Sequence, residues 1–133
     1  MTIKPVEQMV AEANAEIDSW SPGEAKKRLQ DPAVTFVDIR DVRELWREGT
    51  IPGAMHAPRG MLEFWVDPAS PYAKDAFQQD KTFVLFCASG WRSALATKAL
   101  RDMGLPKVAH VAGGFSEWKK SDYPVEERAQ RSS

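Results

Sequence analysis

Seven consecutive residues carry the densest chemistry in this sequence: Cys87, Ala88, Ser89, Gly90, Trp91, Arg92 and Ser93. They lie between an apolar run, Phe83-Val84-Leu85-Phe86, and a stretch with Leu95, Ala96, Ala99, Leu100 and Met103 at helical spacing. A strand–loop–helix connection with a central glycine lets successive backbone N–H groups converge on an anion, reinforced by the helix N-terminus. A thiol at the first position of such a loop gains a preference for the thiolate, because the same amides and Arg92 stabilise negative charge. Cys87 therefore reads as a nucleophile, and Ala88, Ser89, Gly90, Trp91, Arg92 and Ser93 as a cradle for an anionic group attached to it. Ser93 is expected to cap the helix, with its hydroxyl free to donate into the pocket. The bland alternative is a buried structural cysteine at a strand end, the common state of a free thiol.

Composition narrows what such a thiol can serve. The chain has 133 residues, and 18 Lys+Arg against 19 Asp+Glu leave a net charge of −1. That length suits one domain, and the charge balance argues against nucleic acid or an anionic membrane as partner. No apolar run approaches the ~20 residues needed to span a bilayer. Glu7, Glu12, Glu16 and Asp18 interrupt the first twenty residues, so a signal-peptide core is not expected. One cysteine excludes an internal disulfide, and with two histidines it is too few for a structural zinc site. The expected setting is the reducing cytoplasm, with neither metal nor cofactor.

The elements that must position the loop follow from periodicity. Val6, Met9, Val10, Ala13 and Ile17 fall on one helical face, so 1–15 is read as an N-terminal amphipathic helix. Ser21, with Glu24 three residues on and Pro22 between, is a capping box for a second helix reaching about Leu29. Residues 34–37 and 83–86 are continuous apolar runs, as in strands buried on both faces. A charged helix over 41–48 closes at Gly49, and 54–57 is a short strand. Residues 61–80 break into helical pieces at Pro68 and Pro71. The helix after the loop stops at Gly104 and Pro106, 108–111 is another strand, and a short helix follows Gly113-Gly114. A domain over 16–125 and a frayed polar tail over 126–133 complete the reading.

Strands alternating with helices imply βαβ units and a mostly parallel sheet with helices on both faces. Ligands in such folds bind where loops leave the C-terminal strand ends, which here begin at Asp38, Ala57, Cys87 and Ala112. Asp38 and Arg40 either add charge near the pocket or form an ion pair bracing the turn. Arg59 is a second candidate cation at that edge, with an exposed surface charge as its alternative. Trp91 is expected at the mouth of the loop, or folded back on Met61 or Trp65. Met61, Leu62, Phe64 and Trp65 are read as core before docking surface. His56 and His110 are read as satisfied core or edge residues, since a thiolate already formed needs no base.

With the loop, three further motifs stand in order: Asp38-Ile39-Arg40, residues 49–54 (Gly-Thr-Ile-Pro-Gly-Ala) and residues 113–118 (Gly-Gly-Phe-Ser-Glu-Trp). Together they resemble a single-domain rhodanese (thiosulfate sulfurtransferase) over about residues 17–124. The resemblance implies a rhodanese-like α/β fold, a roughly five-stranded parallel sheet flanked by helices. It implies that Cys87 takes a sulfane sulfur from a donor such as thiosulfate, becomes a persulfide, and passes the sulfur to a thiol, protein thiol or cyanide. Anion binding would fall to the loop amides and Arg92. Two positions depart from the usual pattern: Ala88 stands where many members carry a basic residue, and Thr50 where histidine is usual. The other readings are a cysteine phosphatase or arsenate reductase, or a rhodanese-like module that binds without turnover. Loop length speaks to the first of these. Cys87 and Arg92 bracket four residues, whereas cysteine phosphatases, by resemblance, bracket five and so make a wider ring of amides. The N-terminal helix would cover the domain or a twin subunit, leaving a homodimer open.

Overall fold

The computed structural model describes residues 2–130; Met1 and residues 131–133, the ends of the helix and tail read from sequence, lie outside it. Among the described residues, five strands form one sheet: β1 (Asp18–Trp20), β2 (Val34–Asp38), β3 (Met55–His56), β4 (Thr82–Phe86) and β5 (Val108–Val111). Their order is β1-β5-β4-β2-β3 and every pairing is parallel. Six α-helices among the described residues connect or flank them: α1 (Val6–Glu16), α2 (Pro22–Lys27), α3 (Val42–Glu48), α4 (Leu62–Val66), α5 (Trp91–Met103) and α6 (Gly114–Lys120). This is the five-stranded parallel α/β architecture, flanked by helices, that the motifs implied. No described helix is long and apolar enough to cross a membrane.

The central strand explains the rest. Phe83, Val84, Leu85 and Phe86 of β4 are fully buried, and each such side chain stabilises the fold by roughly 1.5–3 kcal/mol. Alternation along the strand divides them between two cores. Phe83 and Leu85 join Val37, Leu62, Val66, Ala96 and Leu100 under α4 and α5. Val84 and Phe86 join Phe36, Val111, Phe115 and Trp118 on the opposite face, with Ala25 of α2. Val10, Ala13 and Ile17 pack α1 and its C-terminal end against Ala94 and Leu95 of α5, forming an outer layer.

The local signals behave as their chemistry requires. Ser21–Glu24 closes a reciprocal capping box on α2, and Asp41–Glu44 closes a second one on α3. Gly104 ends α5 in the left-handed region. Strand β1 has no counterpart in the periodicity reading: three residues, Asp18-Ser19-Trp20, are too few and too polar to show a pattern. They become a strand through backbone pairing with β5. The tail expected to fray from Glu126 is instead fastened there. Glu126 forms an antiparallel bridge with Thr50, and Arg128 Nη2 donates to the Ala54 carbonyl at 2.7 Å. Within the apolar group at 61–65, Leu62 is buried and Trp65 packs on the core. Phe64 departs from the core reading: it is half exposed and meets Tyr72 edge-on at 6.3 Å.

Candidate active site

Cys87 continues the alternation of β4, in phase with Phe83 and Leu85, so its side chain faces α5 and is only 1% exposed. The chain then turns through Gly90, whose φ of 102° is a left-handed conformation open to glycine at little cost, and enters α5 directly. This turn brings two amides onto the sulfur: Gly90 N–H donates to Sγ at 3.2 Å and Ser93 N–H at 3.4 Å. The thiol itself lies 3.5 Å from Ser93 Oγ. Two converging amides at the start of a 13-residue helix favour negative charge on sulfur. Ser93 does not cap the helix, as its position had suggested. Gly90 is the N-cap residue, and the Ser93 hydroxyl turns inward because its position one turn inside α5 faces the sheet.

The loop is gripped from behind by the start of α6. Phe115 N–H donates to the Cys87 carbonyl at 2.8 Å and Ser116 N–H to the Ala88 carbonyl at 2.9 Å. Gly114 makes the approach possible: a Cβ there would lie 2.5 Å from the Cys87 oxygen and 2.8 Å from Ala88 C and O, at a φ of +60°. The neighbours are backbone and cannot swing away. Gly114→Ala should therefore destabilise the fold by about 1–3 kcal/mol and slow alkylation of Cys87 severalfold by shifting the cradle. A variant with wild-type melting temperature and alkylation rate would refute this account of the Gly113-Gly114 motif.

The three candidate arginines have different fates. Arg40 is fully buried and forked onto Asp38, with Nε to Oδ1 at 3.0 Å and Nη2 to Oδ2 at 2.8 Å. Its Nη2 also donates to the Gly49 carbonyl at 2.7 Å, and its guanidinium stacks on Phe115 at 4.5 Å. Thr50 Oγ1 donates to Asp38 at 2.7 Å. Asp38 and Arg40 are thus the brace of the β2–α3 turn rather than a charge directed at the sulfur. Arg59 pairs with Glu63 at 2.7 Å one helical turn away. Arg92 is half exposed and forked onto Glu44, at 3.0 and 3.2 Å. Glu44 holds the Arg92 guanidinium above its ordinary value, with a smaller contribution from Cys87, and Arg92 in turn holds Glu44 below the usual carboxylate range. The pair is open to solvent on the Arg92 side and contributes little to stability. Glu44 was legible only as part of a charged helix, and its link to a residue 48 positions away was not.

His110 is the satisfied core residue that the sequence suggested, but its partners were not legible there. It is 3% exposed and pairs in register with Leu85 on one side and Ser19 on the other, so all three side chains share the face of Cys87. Its Nδ1 lies 2.9 Å from Ser93 Oγ, and its Nε2 lies 3.1 Å from Ser19 Oγ. Burial lowers His110 from 6.5 to about 4, so the ring is neutral near pH 7. As pH falls from 6.5 towards 4, the unfolded chain takes up the proton first. Stability owed to neutral His110 is therefore complete above 6.5, declines across that window, and is level below it, a change of up to about 3 kcal/mol. Urea unfolding should accordingly show the gap between wild type and His110→Asn closing across this range; parallel curves would refute it.

Ser19, Ser89, Gly90, Trp91 and His110 line an open cleft of about 300 Å³ together with Val10 and Asn14 of α1. Trp91 stands at this mouth, 48% exposed, rather than folded back on Met61 or Trp65. His56 is satisfied by donating from Nε2 to the Arg40 carbonyl at 2.7 Å. No group of three or more His, Cys, Asp or Glu suited to a metal occurs among the described residues.

Comparison with known proteins gives a consistent picture. The family model for the rhodanese-like domain matches residues 21–121. Thiosulfate:glutathione sulfurtransferase of Homo sapiens is 30% identical over 105 residues, covering 74% of this chain and 90% of that protein. YrkF of Bacillus subtilis is 28% identical over 88 residues, but this chain spans only 43% of its length. A protein of unknown function from Rhodopseudomonas palustris, described as a possible tyrosine phosphatase, superposes with a TM-score of 0.91 at 49% identity, covering 95% of this chain and 98% of that one. The polysulfide-sulfur transferase homodimer of Wolinella succinogenes superposes with a TM-score of 0.68 at 31% identity, covering 94% and 89%.

Proposed function

The chain belongs to the rhodanese-like domain family, and on that premise we propose that it transfers sulfane sulfur through a persulfide on Cys87. The observation that carries this reading is the pair of amides, from Gly90 and Ser93, converging on Cys87 Sγ. The thiolate attacks the outer sulfur of an anionic donor such as thiosulfate or a polysulfide. The donor's S–S bond breaks, its remaining fragment leaves with the electron pair, and the sulfur stays on Cys87 as a persulfide. A thiolate, protein thiolate or cyanide then attacks that outer sulfur and restores the Cys87 thiolate. The amides stabilise negative charge at each stage without moving, and Arg92, released from Glu44, adds its cation as the donor arrives. Residues 16–125 are the transferring domain in this reading, with 1–15 an added helix and 126–133 a tail. Cys87 is the single cysteine, so no second thiol in the chain can discharge the persulfide, and the acceptor comes from outside.

Intact mass tests it. Incubation with thiosulfate or polysulfide should add one sulfur atom per chain, removable by cyanide or a small thiol. A folded protein that takes up no sulfur from several such donors would overturn the reading. The relative from Rhodopseudomonas palustris raises phosphate as the competing substrate. Four residues between Cys87 and Arg92 make a ring sized for one sulfur atom rather than a tetrahedral oxyanion. Aryl phosphates should therefore not be hydrolysed, and hydrolysis that depends on Cys87 would favour the phosphatase reading instead.

A further inference from the structure

Cys87 Sγ, Ser93 Oγ, the two nitrogens of His110 and Ser19 Oγ form an unbroken hydrogen-bonded row, at 3.5, 2.9 and 3.1 Å, from the buried sulfur to the cleft that Ser19 lines. The sheet builds this row by register alone, since Ser19 and Leu85 flank His110 across β1, β5 and β4 and Cys87 lies two residues beyond Leu85. We propose that His110 is a positioning residue of the sulfur site, whose tautomer sets whether the Ser93 hydroxyl accepts from the Cys87 thiol or donates to its thiolate.

The row has two self-consistent directions. With the thiol, Cys87 S–H donates to Ser93 Oγ, Ser93 O–H donates to a bare Nδ1, and Nε2–H donates to Ser19 Oγ. With the thiolate, every donor reverses: Ser19 O–H donates to a bare Nε2, Nδ1–H donates to Ser93 Oγ, and Ser93 O–H donates to the sulfur. Passing from the first to the second breaks the S–H bond and makes a new O–H bond on Ser93. The old Ser93 proton forms Nδ1–H, the Nε2 proton moves to Ser19, and the old Ser19 proton leaves into the cleft. One proton travels from sulfur to solvent, nothing is oxidised or reduced, and the imidazole stays neutral at both ends. A ring held neutral by burial suits this. Both ring nitrogens face serines rather than charges, and the charged group nearest in the loop, Arg92, is forked onto Glu44. In the thiolate direction Ser93 adds a third donor to the two amides. The assignment rests on the sulfur-transfer reading only for the use made of the thiolate.

Nitrogen-15 NMR of the His110 ring in the wild-type chain tests it without perturbing the fold. As Cys87 ionises, followed in parallel by alkylation rate, the ring should switch from the Nε2–H to the Nδ1–H tautomer, and Cys87→Ser should show no switch. Ser93→Ala and His110→Phe should each slow alkylation of Cys87 near neutral pH by roughly tenfold, with the double variant no worse than either single one, because they act in series. His110→Asn, which keeps a polar group near Nδ1, should recover part of the rate. A tautomer that stays fixed while Cys87 ionises, a switch that survives in Cys87→Ser, or additive losses of rate would overturn the proposal. Sulfur uptake with a fixed tautomer would sink this proposal alone, and a switching tautomer without sulfur uptake would sink the sulfur-transfer reading alone.

Discussion

Cys87→Ser should abolish sulfur transfer, lowering turnover on the order of 10⁴-fold or more, while leaving the melting temperature within a few degrees. The fold should tolerate the change because the hydroxyl inherits the same two amide donors, Gly90 N–H and Ser93 N–H, that now meet sulfur. The chemistry should not tolerate it. Two amides can favour a thiolate, whose free pKa is ~8.5, but they cannot ionise an alcohol. The row through Ser93 to neutral His110 can carry a proton, but it supplies no base strong enough to ionise a serine hydroxyl at neutral pH. Steady-state rates with cyanide as acceptor, beside a thermal melt, make the measurement. A folded variant keeping more than a few per cent of activity would mean that another group carries the sulfur.

Arg40→Met should be the most destabilising of the single substitutions considered, costing about 3–5 kcal/mol in urea unfolding at neutral pH. The cost comes from what stays behind. Asp38 is fully buried, and without Arg40 its carboxylate keeps only the Thr50 hydroxyl and the Arg40 backbone N–H as partners. Asp38→Asn should be costly for the mirrored reason, and the double variant should lose much less than the sum of the two. The damage should also reach the site. Asp41, the residue after Arg40, caps α3, and Glu44 of that helix holds Arg92, so sulfur transfer should weaken before global unfolding. A loss under about 1 kcal/mol would mean that Asp38 finds solvent or another partner, contrary to its burial.

The sequence by itself determined the sheet's main strands, the Ser21–Glu24 capping box and the place of Cys87 at the C-terminal end of a buried strand. Those signals are local. A run such as Phe83-Val84-Leu85-Phe86 has to be buried wherever it lies, and Gly90 before a helical pattern has few other conformations that join strand to helix. The four ordered motifs also carry the family resemblance without any tertiary structure. What the tertiary structure alone decided concerns partners far apart in the chain. Arg92 and Glu44 meet across 48 residues, and Arg40 finds Phe115 beneath it. Strand β1 exists because β5 offers it an edge, and His110 became part of the sulfur site because strand register aligned it with Ser19 and Leu85. Neither register nor side-chain pairing leaves a trace in local periodicity. Both are set when separate strands choose their neighbours, and that choice turned a satisfied core histidine into a link between the buried sulfur and the cleft.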